Sequence, residues 1–204
     1  MKSIMISGPD GTGKSTIIEA TRQRLINDKK YIEVVWLRFH HYFAKVVNIF
    51  GRIIGKSYRE HYDWGEVGYH SYKGFFGIVY IIAVYFDHHI FKLFIKNKKL
   101  QKGKSYLVDR YILDVVADLI VDTKNNKFVF FLFDKFIIEE LLNFDAFILE
   151  CDVSIVITRR EDIKDDKKYI DKINAYKVIS DKYNIKRLNT GENSIDEIVQ
   201  QIVN

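Results

Sequence analysis

The residues best suited to chemistry stand near the start of the chain. Gly8-Pro9-Asp10-Gly11-Thr12-Gly13-Lys14-Ser15 satisfies the pattern G-x-x-x-x-G-K-[ST]. Glycines allow a backbone to turn its N–H groups inward around phosphate oxygens, and a helix starting at the end of the loop adds the positive end of its dipole. In such a loop Lys14 reaches the β- and γ-phosphates, and the Ser15 hydroxyl is placed for Mg²⁺. The expected contacts of a nucleoside triphosphate are therefore Gly8 and the run from Asp10 to Thr16. A guanine-reading Asn-Lys-x-Asp is absent; the nearest string, Asn97-Lys98-Lys99-Leu100, lacks the acid. That argues against a GTPase, and the chain is short for an oligomeric ATPase motor.

A second informative string is Tyr106-Leu107-Val108-Asp109-Arg110-Tyr111. An acid ending a buried strand suits the ligand side of a parallel sheet. Asp109 is the expected holder of Mg²⁺ or its waters, and Arg110 offers a bidentate fork for a second phosphate. A structural ion pair between the two is the alternative. All six histidines fall between 40 and 89, with pairs at 40–41 and 88–89. Adjacent residues do not share a helix face, which argues against a histidine metal pair. His40 and His41 are read either as acceptor contacts or as loop packing. Cys151 reads as an apolar filler.

These groups need a frame, and the periodicity supplies one. Short, unalternating apolar runs at 3–7, 32–37, 106–108, 146–149 and 185–188 read as strands covered on both faces. Helices are expected over 15–27, 42–54, about 74–96, 113–121, 134–142, 153–161 and 167–183. A last one starts at Ser194, with Glu197 completing a capping box. Alternating strands and helices predict an α/β fold with a five-stranded parallel sheet flanked by helices. Lys56 to Lys73 is polar, aromatic and glycine-punctuated, and is expected to be a long functional loop. Arg159 to Lys168 (RREDIKDDKK) is either a solvated face or a short basic lid.

Composition narrows the class. With 204 residues, 48% apolar and 29% charged, the chain reads as one globular domain, and its single Cys excludes a cystine scaffold. The net charge of +5 suits anionic ligands without requiring nucleic acid; the lysines at 96, 98, 99, 102 and 104 end a helix, where cations are favourable. The longest apolar stretch, the twelve residues Phe75–Phe86, is shorter than the roughly 20 needed to span a bilayer. It is expected to be a core helix of a soluble, cytoplasmic protein. The aromatic stripe at 75, 76, 80, 85, 86, 91 and 94 reads as core or dimer interface.

Together these strings resemble the thymidylate kinase family of P-loop nucleoside monophosphate kinases. The likeness is carried by Gly8 through Thr16 and by Asp109-Arg110-Tyr111. It continues with Leu149-Glu150-Cys151 leading to Arg159, and with Arg187-Leu188-Asn189-Thr190-Gly191 before the final helix. It implies a P-loop kinase fold, ATP and Mg²⁺ as cofactors, transfer of the γ-phosphoryl to dTMP, and a homodimer paired through the helices at 42–54 and 75–94. By the same resemblance Asp10 approaches the acceptor's sugar, and Arg38 and Arg110 are substrate-side cations. Arg159 and Arg160 are lid arginines that close on the donor, and the turn containing Asn189 lies against adenine. Gly11 occupies a position where one branch of the family has an arginine.

The chain departs from the family at three places, one of them the His- and Tyr-rich segment from His40 to Tyr72, which has no simple counterpart in the usual pattern. The usual Ser-Ser and Tyr-Gln after the Asp-Arg-Tyr string give way to Asp114-Val115-Val116-Ala117-Asp118-Leu119. The Asp-Arg whose arginine approaches thymine is replaced by Asp87-His88, leaving His88 as the expected base contact. Two other readings stay open: a same-fold kinase of another nucleotide or phosphorylated metabolite, and a non-enzymatic ATP-binding switch.

Overall fold

The sheet is built where the apolar runs predict it. In the computed structural model, which describes residues 2–37, 42–96, 100–101 and 103–204, the strands β1 (Ser3–Ser7), β2 (Glu33–Trp36), β5 (Tyr106–Asp109), β6 (Phe144–Glu150) and β7 (Lys186–Asn189) form one parallel sheet in the order β2-β5-β1-β6-β7. Ile6 lies beside Asp109 and Phe147, and Glu150 beside Asn189, so the functional strings end at one edge of the sheet. The protein is thus α/β, with a five-stranded parallel sheet flanked by helices.

The helices are α1 (Lys14–Asn27), α2 (Phe43–Ile53), α3 (Gly74–Ile90), α4 (Ile112–Thr123), α5 (Asn126–Asn143), α6 (Val153–Arg159), α7 (Tyr169–Tyr183) and α8 (Ile195–Val203). Alternate strand residues feed two apolar clusters. Ile4, Ile6, Leu107 and Leu149 pack with Ile17, Leu25 and Ile198 on the α1–α8 side. Met5, Val108 and Ile148 pack against α3, α4, α5 and α7 on the other. Strands covered on both faces need no polar alternation, which is why they read as continuous apolar runs.

Local chemistry sets the helix ends. Ser194 accepts from the Glu197 N–H while Glu197 accepts from the Ser194 N–H, the expected capping box. Asn125 and Asp152 cap α5 and α6 by accepting from Phe128 N and Ser154 N. The cap of α2 comes from far away in sequence. The fully buried carboxylate of Asp87 accepts from the N–H groups of Tyr42, Phe43 and Ala44 at 3.0, 2.8 and 2.9 Å.

Two expectations are corrected. Residues 56–73 are not an irregular loop: they contain an antiparallel hairpin, β3 (Ser57–Tyr62) and β4 (Gly65–His70). Its two-residue turn, Asp63-Trp64, is followed by Gly65 at φ 146°, a conformation that favours glycine. Nor is the helix over 75–86 wholly core. Tyr80, Ile81 and Val84 are buried, whereas Phe75 is 80% and Phe86 53% exposed. The helical stretch Gly74–Phe94, α3 with a π-helical extension at 91–96, is long and apolar enough to cross a membrane by length and composition, with 44% buried in the fold. Its exposed residues adjoin an apolar stripe on α2 made by Phe43, Val46, Phe50 and Ile53.

Candidate functional site

The glycine loop connects β1 to α1 and is shaped by contacts only glycine permits. At Gly8, φ is 145° and an added Cβ would lie 2.4 Å from the Leu149 carbonyl oxygen, so the loop leans directly on β6. Gly13, at φ 82°, turns the chain into the first helical residue. A Cβ on Gly11 would lie 2.4 Å from Val156 Cγ1, so α6 fills the space into which a side chain at position 11 would grow.

Lys14 is buried and its Nζ donates to the carbonyls of Gly8 and Pro9, both at 2.7 Å. The loop therefore curls around its own ammonium group. Burial and the neighbouring Arg110 lower the Lys14 pKa to about 8, against the attraction of Asp10, Asp114 and Asp109. Thr12 Oγ1 donates to Pro9 O at 2.8 Å and closes the turn. Ser15 and Thr16 are exposed on the first turn of α1.

Asp109 ends β5 beside the loop. Burial raises its pKa, although Arg110 and Lys14 oppose the shift. Its Oδ1 is buried and has no hydrogen-bond partner among the described residues. A desolvated, unsatisfied carboxylate oxygen facing a lysine loop fits a cation or its waters. No group of three His, Cys, Asp or Glu among the described residues could hold a metal. Ser15 and Asp109 suit Mg²⁺ because that ion binds with few protein ligands and completes its shell from phosphates and water.

Arg110 does not pair with Asp109. Its backbone is left-handed, φ 57°, and its guanidinium binds the Asp10 carboxylate. Burial alone would raise the Asp10 pKa, but Arg110 and Lys14 bring it down to about 2. This ion pair joins the loop to a cavity of about 410 Å³ between α4 and the hairpin, with Arg110, Asp114 and Asp118 on one side and Tyr69 and His70 on the other. The segment after α6 seals it. Trp64 Nε1 donates to Asp165 Oδ2 at 3.0 Å, Lys167 Nζ to Glu60 at 2.6 Å, and Lys168 Nζ bridges to Asp122 at 2.5 Å. A short 3₁₀ turn at 161–165 makes up much of the expected lid, and its charges meet the hairpin as well as solvent.

On the other side of the loop a smaller cavity, about 250 Å³, is lined by Gly13, Thr16, Arg159, Thr190 and Asn193. Arg159 donates to Thr190 Oγ1 and O at 3.2 and 3.0 Å, and Thr190 Oγ1 donates to Thr12 O at 3.0 Å. The expected Asn189 instead holds the turn, its Oδ1 accepting from Gly191 N at 2.9 Å; Thr190 and Asn193 are the residues that reach the cavity. Arg160 pairs with Asp162 and is absent from this lining.

His88 is corrected as a base contact. It is fully buried among Phe91, Tyr111, Phe133 and Phe136, and burial, with Lys92 adding, lowers its pKa to about 3. Among the described residues, the histidine that lines the large cavity is His70, on the hairpin, with Nδ1 2.9 Å from Ser57 Oγ. Arg38, His40 and His41 lie outside the described residues, as do Lys98, Lys99 and Lys102. Sequence reasoning gave no individual role to Asp118, Asp122, Lys168 or Lys172, although Asp118 stood in the 114–119 departure and Lys168 in the expected lid. The signal for the first two was Asp114-x₃-Asp118-x₃-Asp122, a spacing that aligns one helix face.

No protein-family model matches the chain, and a search of curated proteins found no match, so the likeness to thymidylate kinases stands on the chain's own motifs.

Proposed function

We propose that this protein is an ATP-dependent phosphotransferase of the P-loop kinase type, acting on a phosphate-bearing acceptor. Nucleoside monophosphates, dTMP first, are the acceptor class that the resemblance implies. The observation that carries the reading is the Asp10–Arg110 pair: it ties the lysine loop to the larger cavity, while the same loop lines the smaller one at Gly13 and Thr16. A donor seated at the smaller cavity and an acceptor in the larger one would meet at Lys14.

The chain's own groups account for the transfer. An acceptor phosphate oxygen is already anionic, so no strong general base is needed, and catalysis is positioning plus neutralisation of charge. Lys14 leaves its carbonyl partners for phosphate oxygens, Arg110 exchanges Asp10 for the acceptor phosphate, and Arg159 faces the donor side. Arg160 joins them by leaving Asp162. Mg²⁺ held by Ser15 and Asp109 would supply further neutralisation of the phosphate oxygens.

The test is ADP release from Mg-ATP with dTMP, dUMP, UMP, CMP, AMP and GMP in turn. Stimulation by at least one, with turnover lowered by several orders of magnitude in Lys14→Ala, is the expected result. Near-normal turnover in a folded Lys14→Ala protein sinks the assignment. The exposed stripes of α2 and α3 support a homodimer paired through these helices. Light scattering that finds only monomer at micromolar concentration would refute it.

A further inference from the structure

The larger cavity contains four carboxylates on its walls, and three have their partners within the protein. Asp114 accepts from Ser7 Oγ at 2.8 Å, Tyr176 Oη at 2.7 Å and Tyr111 N at 3.0 Å. Asp122 takes the Lys168 ammonium, and Asp166 accepts from Lys168 N at 2.9 Å and stands 4.0 Å from Lys172. Asp118 lines the same cavity, is exposed to it, and makes no hydrogen bond or ion pair with any described residue. It sits one turn beyond Asp114 on the same face of α4 and one turn before Asp122. Six residues of helix separate Ile112, at the Arg110 end, from Asp118, a rise of about 9 Å. An acceptor whose phosphate sits at Arg110 therefore brings its other end to Asp118.

We propose that Asp118 is the specificity-determining residue of this cavity, receiving a pair of adjacent N–H or O–H donors at the end of the acceptor opposite its phosphate. This rests on the reading of Arg110 as the phosphate-side group. A carboxylate offers two oxygens and no donor, so its complement is two donors side by side. The amide–amine edge of a guanine-like base and the vicinal diol of a sugar both provide that pair. Thymine does not: its edge sets one N–H between two carbonyls, which would face the carboxylate oxygens. The walls desolvate Asp118 while water still reaches it, which raises its pKa; Lys172 opposes this, Asp122 and Asp114 add to it, and the result is about 6. At neutral pH the group is an anion with no hydrogen-bond donor among the described residues.

The experiment is calorimetric titration of the intact protein, with Mg²⁺ and a non-hydrolysable ATP analogue present, by dGMP, ribose 5-phosphate and dTMP. Wild type and Asp118→Asn, which keeps the shape but replaces one acceptor by a donor, are compared after thermal unfolding shows both folded. dGMP, which has the base edge but no vicinal diol, or ribose 5-phosphate, which has the diol but no base, is expected to bind at least tenfold tighter than dTMP, the stronger of the two telling a base edge from a diol. Asp118→Asn should erase that preference without weakening dTMP. Tightest binding of dTMP, equal loss for all three ligands, or no binding of any would overturn the assignment of Asp118. ADP release with the best ligand separates the two readings. A preference that depends on Asp118 without ADP release fails the kinase alone; ADP release indifferent to Asp118→Asn fails this inference alone.

Discussion

Gly8 and Gly65 have nearly the same φ, 145° and 146°, in opposite surroundings. At Gly8 an added Cβ would lie 2.4 Å from Leu149 O and 3.2 Å from Leu149 N; at Gly65 nothing lies within 4 Å. Alanine at either position is strained by about 1–3 kcal/mol. Roughly 0.4–1 kcal/mol of that is offset by reduced freedom of the unfolded chain. Only Gly8→Ala also collides, and with a backbone held in register against Leu188. The loop must then retreat by about 1 Å, a further overpacking cost of about 1–3 kcal/mol. Equilibrium urea unfolding of both variants should give equal m-values and a larger loss for Gly8→Ala by that 1–3 kcal/mol. The matching difference in Tm is roughly 2–12 °C for a chain of this size. Mg-ATP affinity should fall in Gly8→Ala and stay unchanged in Gly65→Ala. If Gly8→Ala is as mild as Gly65→Ala, the seating of the loop on β6 is wrong.

Three further outcomes are expected. With the Lys14 pKa lowered to about 8 and anionic phosphate set to raise it again, nucleotide binding should take up a proton near pH 8–9 and weaken as pH rises through that range. Calorimetry in two buffers of different ionisation enthalpy reads the proton directly, and zero uptake at pH 8.5 contradicts the burial of Lys14. Asp87→Ala leaves three N–H groups at the start of α2 without their acceptor and should cost about 3–5 kcal/mol in chemical denaturation, with Asp87→Asn in between; a loss under about 1 kcal/mol refutes the cap. His88 stays neutral in the folded chain down to about pH 3, whereas the unfolded chain protonates it near 6.5. The stability it supports is therefore full above 6.5 and is lost on acidification at up to about 1.4 kcal/mol per pH unit. Unfolding curves of wild type and His88→Phe should converge in slope above pH 7 and diverge below 6; parallel behaviour throughout would show His88 to be solvated.

Features set by residues close in sequence were legible in advance. The glycine loop needs only its own spacing, the capping box only Ser194 and Glu197, and the five strands only short apolar runs between helical ones. The hairpin was missed because Ser57–His70 is Tyr- and His-rich rather than aliphatic, and its turn signal, Asp63-Trp64-Gly65, is weaker than Asn-Gly or Asp-Gly. The choice of histidine failed for another reason. Position 88 stands where the resembled family has a base-side arginine, but the rotation of α3 directs that face into the phenylalanines of α5, while the hairpin brings His70 to the cavity.

By itself, the sequence determined the alternation of strands and helices, the lysine loop at the end of the first strand, and an acid and an arginine at the end of β5. Each depends on groups within a few residues of one another, where periodicity and turn chemistry decide. Only the tertiary structure decided that Arg110 pairs with Asp10 rather than Asp109, that Asp87 caps a helix more than forty residues upstream, and that Asp122 takes the Lys168 ammonium. Those outcomes follow from which faces pack together, because burial makes each polar group take a partner within reach in space, however far away it lies along the chain.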